Sequence, residues 1–257
     1  MTEFRSTRAG GFTLIELVIV IVLLGILASV TAIILQTPVS MFQAQERRAA
    51  LTAEADLILT RMTRELRMAL PNSVRVSSDG RSLEFIPVRG GGRYRALDTS
   101  QPITSLEVFG TTDTFDVGDF LTIFNASSQS GSSANAYVGL NRATITGIAG
   151  NTISFASHRF RHASRGAQRF HVIPATGPVT YYCRGGVLRR HDGYGFQAAQ
   201  PIFISEGVRM STRIEDCQFR YDSGGLVRNG VVTLRVTLED AGERISLLHQ
   251  AQVVNAP

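Results

Sequence analysis

Residues 10–35 read Gly-Gly-Phe-Thr-Leu-Ile-Glu-Leu-Val-Ile-Val-Ile-Val-Leu-Leu-Gly-Ile-Leu-Ala-Ser-Val-Thr-Ala-Ile-Ile-Leu. From Leu17 to Leu35 the stretch carries no charge, and its only polar side chains are Ser29 and Thr31. An apolar run of this length crosses a bilayer core of about 30 Å as an α-helix. A buried helix of a soluble protein would show a polar stripe, and none is present. The pattern predicts a membrane helix over 12–35. Its anomaly is Glu16, one carboxylate near the start of the apolar run. An acidic residue at the centre of a spanning helix costs roughly 2.5–3.5 kcal/mol, and such residues usually have a partner. The bland reading of Glu16 is a side chain that reaches the headgroup layer from the helix start. The sharper one is a charge waiting for a counter-charge.

The residues before this run are short and mildly basic, with Arg5 and Arg8 against Glu3, and they end in Gly-Gly. A secretory signal has its small-residue cleavage site after the apolar region. Here the candidate processing site lies before it. Positive charge stays cytoplasmic, so the N-terminus is expected inside and the chain beyond about residue 40 outside.

After Pro38 a second helical pattern begins. Leu51, Ala55, Ile58, Met62, Leu66 and Ala69 fall on one face, with Glu54, Arg61, Arg64, Glu65 and Arg67 between them. Pro71 closes the segment. A nearly continuous helix is expected from Phe12 to Leu70, kinked or divided at Pro38. From Val74 the texture changes to short alternating runs. Eleven of them read as strands: Ser82–Val88, Ile103–Phe109, Phe120–Phe124, Ala143–Ile148, Thr152–Ala156, Arg169–Ile173, Val179–Cys183, Val187–Arg190, Cys217–Tyr221, Val231–Leu238 and Ile245–Val254. Turn signals separate them, among them Gly90-Gly91-Gly92, Gly150-Asn151, Gly185-Gly186 and Ala241-Gly242. Hairpins are expected at 148–152 and 238–245, and a mobile Ser/Gly-rich loop at Asn125–Asn135. The fold class is α+β: a long N-terminal helix, transmembrane then amphipathic, packed on a β-rich head. The expected divisions are a leader at 1–11, a membrane half of the helix at 12–35, an amphipathic half at 36–70 and the head at 71–257.

All 26 basic residues of the 257 are Arg, and the net charge is +5. Arg-only usage reflects base composition more simply than function, and +5 is weak evidence for a nucleic-acid partner, which is not expected. The two cysteines, Cys183 and Cys217, read as a disulfide in an exported domain. In the chain-entropy model, closing that loop is worth roughly 3–4 kcal/mol. Without clustered His or acids they do not complete a metal shell, so no metal and no cofactor is expected.

The residues Gly11-Phe12-Thr13-Leu14-Ile15-Glu16-Leu17 resemble the cleavage and methylation signature of type IV pilins and type II secretion pseudopilins. The resemblance implies that a prepilin peptidase cuts after Gly11 and methylates the new amino terminus on Phe12. It places the family's conserved acid at Glu16, and implies a long helix packed on a β-sheet head. Further segments resemble minor pilins of the MSHA (mannose-sensitive haemagglutinin) pilus system. They are Arg47-Arg48-Ala49, Ala69-Leu70-Pro71-Asn72, Tyr182-Cys183, Leu188-Arg189-Arg190, Gly193-Tyr194-Gly195 and Leu248-His249-Gln250 with Asn255-Ala256-Pro257. The implied partners are the prepilin peptidase, other minor pilins, the major pilin and the inner-membrane assembly platform. The implied location is the inner membrane, with the N-terminus cytoplasmic and the head periplasmic. One departure is that many family members carry a proline where this chain has Ile33; the nearest here is Pro38.

Within that reading Glu16 lies one helical turn from the amine that cleavage would create on Phe12. Helix geometry points the amine along the axis, so the expected partner of Glu16 is the amine of a neighbouring subunit. Such a pair offsets desolvation and sets axial register. Gly25 and Ser29, four apart, resemble a close-approach pair for helix packing. A subunit at the extreme tip would have no neighbour above and no need of the acid, so a place just below the tip is expected.

Other candidates carry bland readings as well. His158-Arg159-Phe160-Arg161-His162 with Arg165 and Arg169 could grip an anionic polymer, but reads more simply as a solvated loop. Asp113, Asp116 and Asp119 lack EF-hand spacing and read as turn acids. His171, His191 and His249 are isolated. No Gly-x-Ser-x-Gly or His-Glu-x-x-His is present, and a non-enzymatic structural protein is expected. The alternatives are a type II secretion pseudopilin and a pilus-borne adhesin or DNA-binding head.

Overall fold

The computed structural model describes residues 11–255 except 111, 130, 165 and 225–228; over 32–40 it describes the backbone alone. The leader residues 1–10 and Arg165 thus lie outside the described residues. The chain divides into two compact units, one up to Ala49 and one from Ala50.

One helix, α1, is assigned from Leu14 to Arg67. Its backbone stays helical through Pro38, so the expected division there does not occur. In the first unit every residue from Leu14 to Thr31 is exposed. In the second unit the expected apolar face is buried: Leu51, Ala55, Ile58, Met62 and Leu66, together with Leu59. Arg64 and Arg67 occupy the last turn, where cations favour the helix dipole. The chain then enters the sheet region at once. Leu70 N–H donates to Ile86 O at 2.7 Å, and Val88 N–H to Met68 O at 2.8 Å.

Fourteen strands follow among the described residues: β1 Arg75–Val76, β2 Ser82–Phe85, β3 Gly90–Tyr94, β4 Ile103–Phe109, β5 Phe120–Thr122, β6 Arg142–Ala149, β7 Thr152–His158, β8 Arg169–Ile173, β9 Val179–Arg184, β10 Val187–His191, β11 Val208–Ser211, β12 Ile214–Asp222, β13 Gly230–Asp240 and β14 Glu243–Val253. They form a five-stranded sheet, β1-β2-β9-β10-β11, a three-stranded sheet, β12-β13-β14, and a closed barrel, β3-β4-β7-β6-β5-β8. All eleven expected strands are present. The expected hairpins are too, with Ala149 opposite Thr152 and Asp240 opposite Glu243.

The two sheets share one core with the buried face of α1. Phe85, Tyr181, Leu188, Phe219, Leu234 and Val236 meet Leu59, Met62 and Leu66 there. The Cys183–Cys217 disulfide joins β9 of the larger sheet to β12 of the smaller, with Cα atoms 6.4 Å apart. The barrel has its own core, built on Phe115, Phe155, Phe160, Phe170, Leu121 and Val172. It is an insertion in the larger sheet: β2 and β9 are hydrogen-bonded neighbours, from Ser82↔Tyr182 to Phe85↔Val179, and all six barrel strands lie between them in sequence.

One expectation needs correction. Gly90-Gly91-Gly92 is strand β3, not a turn. A side chain at Gly90 would meet Phe115 at 2.9 Å, and one at Gly91 would meet Phe170 O at 2.6 Å. Barrel closure therefore demands glycine in a strand, which is a known use of glycine where another backbone approaches closely. The Asn125–Asn135 segment, expected as a mobile loop, is anchored at both of its ends. Asn125 is buried; its Nδ2 donates to Pro71 O at 2.6 Å, and its Oδ1 accepts from Ala136 N–H at 2.8 Å. Asn135 is buried and donates to Gln129 O at 2.7 Å.

A buried ion pair sits where barrel and sheet meet. Glu84 on β2 is fully buried and bonded to Arg75 Nε of β1 at 2.5 Å, with Tyr194 Oη donating at 2.8 Å. Burial raises the Glu84 carboxyl, against the lowering effects of Arg75 and Tyr194. The Arg75 guanidinium lies 3.7 Å from the Tyr137 ring centroid, and Tyr137 Oη donates to Ser73 O at 2.9 Å. Every partner here is occupied by a structural bond.

Candidate functional site: the N-terminal segment and its helix

The helix start is built from Thr13. Its carbonyl accepts from Glu16 N–H at 3.1 Å and Leu17 N–H at 3.2 Å, and its Oγ1 accepts from Glu16 N–H at 3.4 Å. Thr13 is thus the N-cap and Glu16 the third helical residue. Thr-x-x-Glu is the capping-box pattern, in which the glutamate can reach back to the cap, and an acid in the first turn suits the dipole. The Thr13 cap was legible in the sequence as Thr-x-x-Glu ahead of an apolar run. Gly11 and Phe12 precede the helix and are exposed, Phe12 at 76 %. The bond between Gly11 and Phe12 therefore lies in open, non-helical chain two residues before the helix.

The helix surface behind Glu16 is apolar on every side. Leu14–Thr31 has a mean hydropathy of 2.8 and none of it is buried. It is long and apolar enough to cross a membrane, and unlike the core helix of a soluble protein it stays exposed among the described residues. Its two hydroxyls are satisfied internally: Ser29 Oγ donates to Ile26 O at 2.8 Å, and Thr31 Oγ1 to Leu27 O at 2.7 Å. That is the state a bilayer or an apolar helix bundle requires of polar groups. A side chain at Gly25 would meet nothing within 4 Å, so its bare backbone faces outward, one turn before Ser29. No side chain is within ion-pairing distance of Glu16 among the described residues.

The other candidates resolve into structural roles. Asp119 is buried; its Oδ2 pairs with Arg89 Nε at 3.0 Å and its Oδ1 accepts from Ala175 N–H at 3.0 Å. Asp116 pairs with the same arginine, so these acids brace a turn. Phe160 of the basic cluster is fully buried in the barrel, edge-on to Phe155. Arg159 donates to Thr99 O at 3.1 Å, and His162 meets Ser133 Oγ at 2.8 Å. The cluster therefore lacks the exposed aromatic that its sequence suggested. His191 packs on Tyr194 and Phe203, and His249 lies 3.4 Å from Asp56. Burial, with Arg169 adding to it, pulls His171 down to about 4.

Residues 6–32 match the family model described as the prokaryotic N-terminal methylation motif. The match covers Gly11, Phe12, Glu16, Gly25 and Ser29, and supports a type IV pilin-like chain with a prepilin N-terminus. No curated protein and no solved structure matches the chain.

Proposed function

We propose that the chain is a minor type IV pilin, resembling the MshO type of the MSHA system, and a structural subunit rather than an enzyme. The observation that carries this reading is the methylation motif over 6–32, which takes in an apolar helix left exposed among the described residues. Prepilin peptidase cuts the open chain after Gly11 and methylates the amine of Phe12. The helix holds the subunit in the inner membrane with the head in the periplasm. The subunit then leaves the membrane by exchanging lipid for the helices of other minor pilins and the major pilin, drawn by the assembly platform.

Glu16 gives this exchange its register. Apolar helices slide along one another without a preferred offset, whereas a carboxylate and an amine in a dry bundle have one favourable distance. Removing one partner of a buried pair leaves an uncompensated charge, at a cost of about 3–5 kcal/mol. A subunit lacking Glu16 should then fail at docking, after insertion. Gly25 and Ser29 let a neighbouring helix approach closely. A subunit that keeps Glu16 belongs below the tip, where a neighbour above supplies the amine. Site-specific photocrosslinking along Phe12–Leu35 tests the arrangement. The reading expects crosslinks to pilin helices both above and below this subunit. Crosslinks only to subunits below would place it at the tip and remove the role given to Glu16.

A further inference from the structure

The outer wall of the barrel carries a row of side chains that the pilin reading does not use. Arg93 on β3 is the direct cross-strand partner of Arg169 on β8 and, on its other side, of Phe109 on β4. Directly opposed residues on neighbouring strands project from the same face. Here that face is outward, because the alternating residues Tyr94, Phe170 and Val108 fill the barrel core. Both arginines are exposed, and Phe109 is 51 % exposed.

Like charges directly opposite one another destabilise a sheet. Elsewhere in the head, Arg75, Arg89, Arg95, Arg190 and Arg244 each have a carboxylate. Arg93 and Arg169 have none among the described residues. A second opposed pair, Arg189 and Arg209, differs because Arg189 donates to Gly207 O at 3.4 Å. Beside Arg93 and Arg169 an open cleft is lined by Gly91, Gly92 and His171. Its floor is kept bare by Gly91, where any side chain would strike the β8 backbone. His171 is held neutral at pH 7 and so adds no further repulsion. Arg95 lies 4.9 Å from the Phe109 ring centroid and is itself paired with Glu107 at 3.0 Å.

We propose that this face binds an acidic saccharide, with its carboxylate or sulfate held between Arg93 and Arg169 and its ring laid against Phe109. Guanidinium pairs suit such oxyanions because their donors match carboxylate geometry. The row crosses three strands, about 10 Å at the usual strand spacing, which fits one ring and its acid group. Single-stranded nucleic acid stacks successive bases on several aromatics. The rings that alternate with the row along its own strands, Tyr94 and Phe170, are buried in the barrel.

The test uses the full mature chain in detergent. Immobilised probes are an oligogalacturonate, its methyl ester, a sulfated tetrasaccharide and a twelve-residue oligothymidylate. The proposal expects either acidic saccharide to bind at least about tenfold more tightly than the ester, and the preferred one identifies the acid. Arg93→Gln, Arg169→Gln and Phe109→Ala should each lose about tenfold, the equivalent of roughly 1.4 kcal/mol. Arg220→Gln, an exposed arginine on β12 opposite Thr233, should bind as the parent does. Arg93→Gln and Arg169→Gln should also melt higher than the parent, since each removes the repulsion. Equal binding of acid and ester, tighter binding of the oligothymidylate, or parent-like binding by both arginine variants would overturn the proposal. A lower melting temperature in both variants would do so as well.

Discussion

Glu16 combines two features that substitution can separate. It is the third residue of a helix capped by Thr13, and it is the charge in an apolar surface. Glutamine serves a capping box as well as glutamate does, so Glu16→Gln keeps the cap and removes the charge. The account expects Glu16→Gln and Glu16→Ala to be cleaved and inserted normally, and both to lose crosslinks to partner pilins. Full crosslinking in the glutamine variant would mean that the cap alone matters. A second residue-scale prediction concerns acid. His171 falls to about 4 in the folded chain from an ordinary value of 6.5, through burial first and Arg169 second. The unfolded chain therefore binds the proton first. The stability this histidine contributes is complete above about pH 6.5 and is lost as the pH falls towards 4. Denaturant titrations across that window should show a shallower decline in His171→Gln than in the parent; identical slopes would refute it. The signature residues were legible because their chemistry is local, fixed by spacing along one short segment. The barrel-wall row was not, because its members come from β3, β4 and β8 and meet only through pairing.

Elements follow the same division. The amphipathic half of α1 announced itself by its period, and its face is buried as expected, with Leu59 added. The eleven strands with branched or aromatic alternation were readable. Three were not. β1 is two residues long, too short for alternation to register, and β11 leaves its apolar Val208 exposed while burying Ser211, so its pattern does not mark a core face. β3 is a glycine run whose strand character comes from the approach of Phe115 and the β8 backbone, which no local propensity encodes. The disulfide was readable from cysteine count and the expected export of the head, but not what it joins. It links β9 to β12 and so holds together the two sheets that sandwich one shared core. Replacing both cysteines by alanine should lower the unfolding free energy of the full chain by about 3–4 kcal/mol in the chain-entropy model. A loss under about 1 kcal/mol would show that the shared apolar core holds the sheets without it.

At the scale of the molecule, the sequence separated helix from head, and the structure adds that the head carries an inserted barrel with a core of its own. The barrel could not be read from the strand list, since closure is a statement about which strands pair at long range, here Gly90 with Val172. The insertion leaves the sheet that packs on α1 intact, because β2 and β9 pair as if the barrel were absent. Assembly chemistry can thus reside in the helix while the barrel wall meets other ligands. The central claim is that the functional N-terminus is made by cleavage, which joins an exposed Gly11–Phe12 bond, a cap at Thr13 and a carboxylate one turn on. Mass spectrometry of the N-terminal peptide of the membrane-extracted protein tests it most directly. The account predicts a chain beginning at Phe12 whose amine carries one methyl group. A mature chain still beginning at Met1 would contradict it.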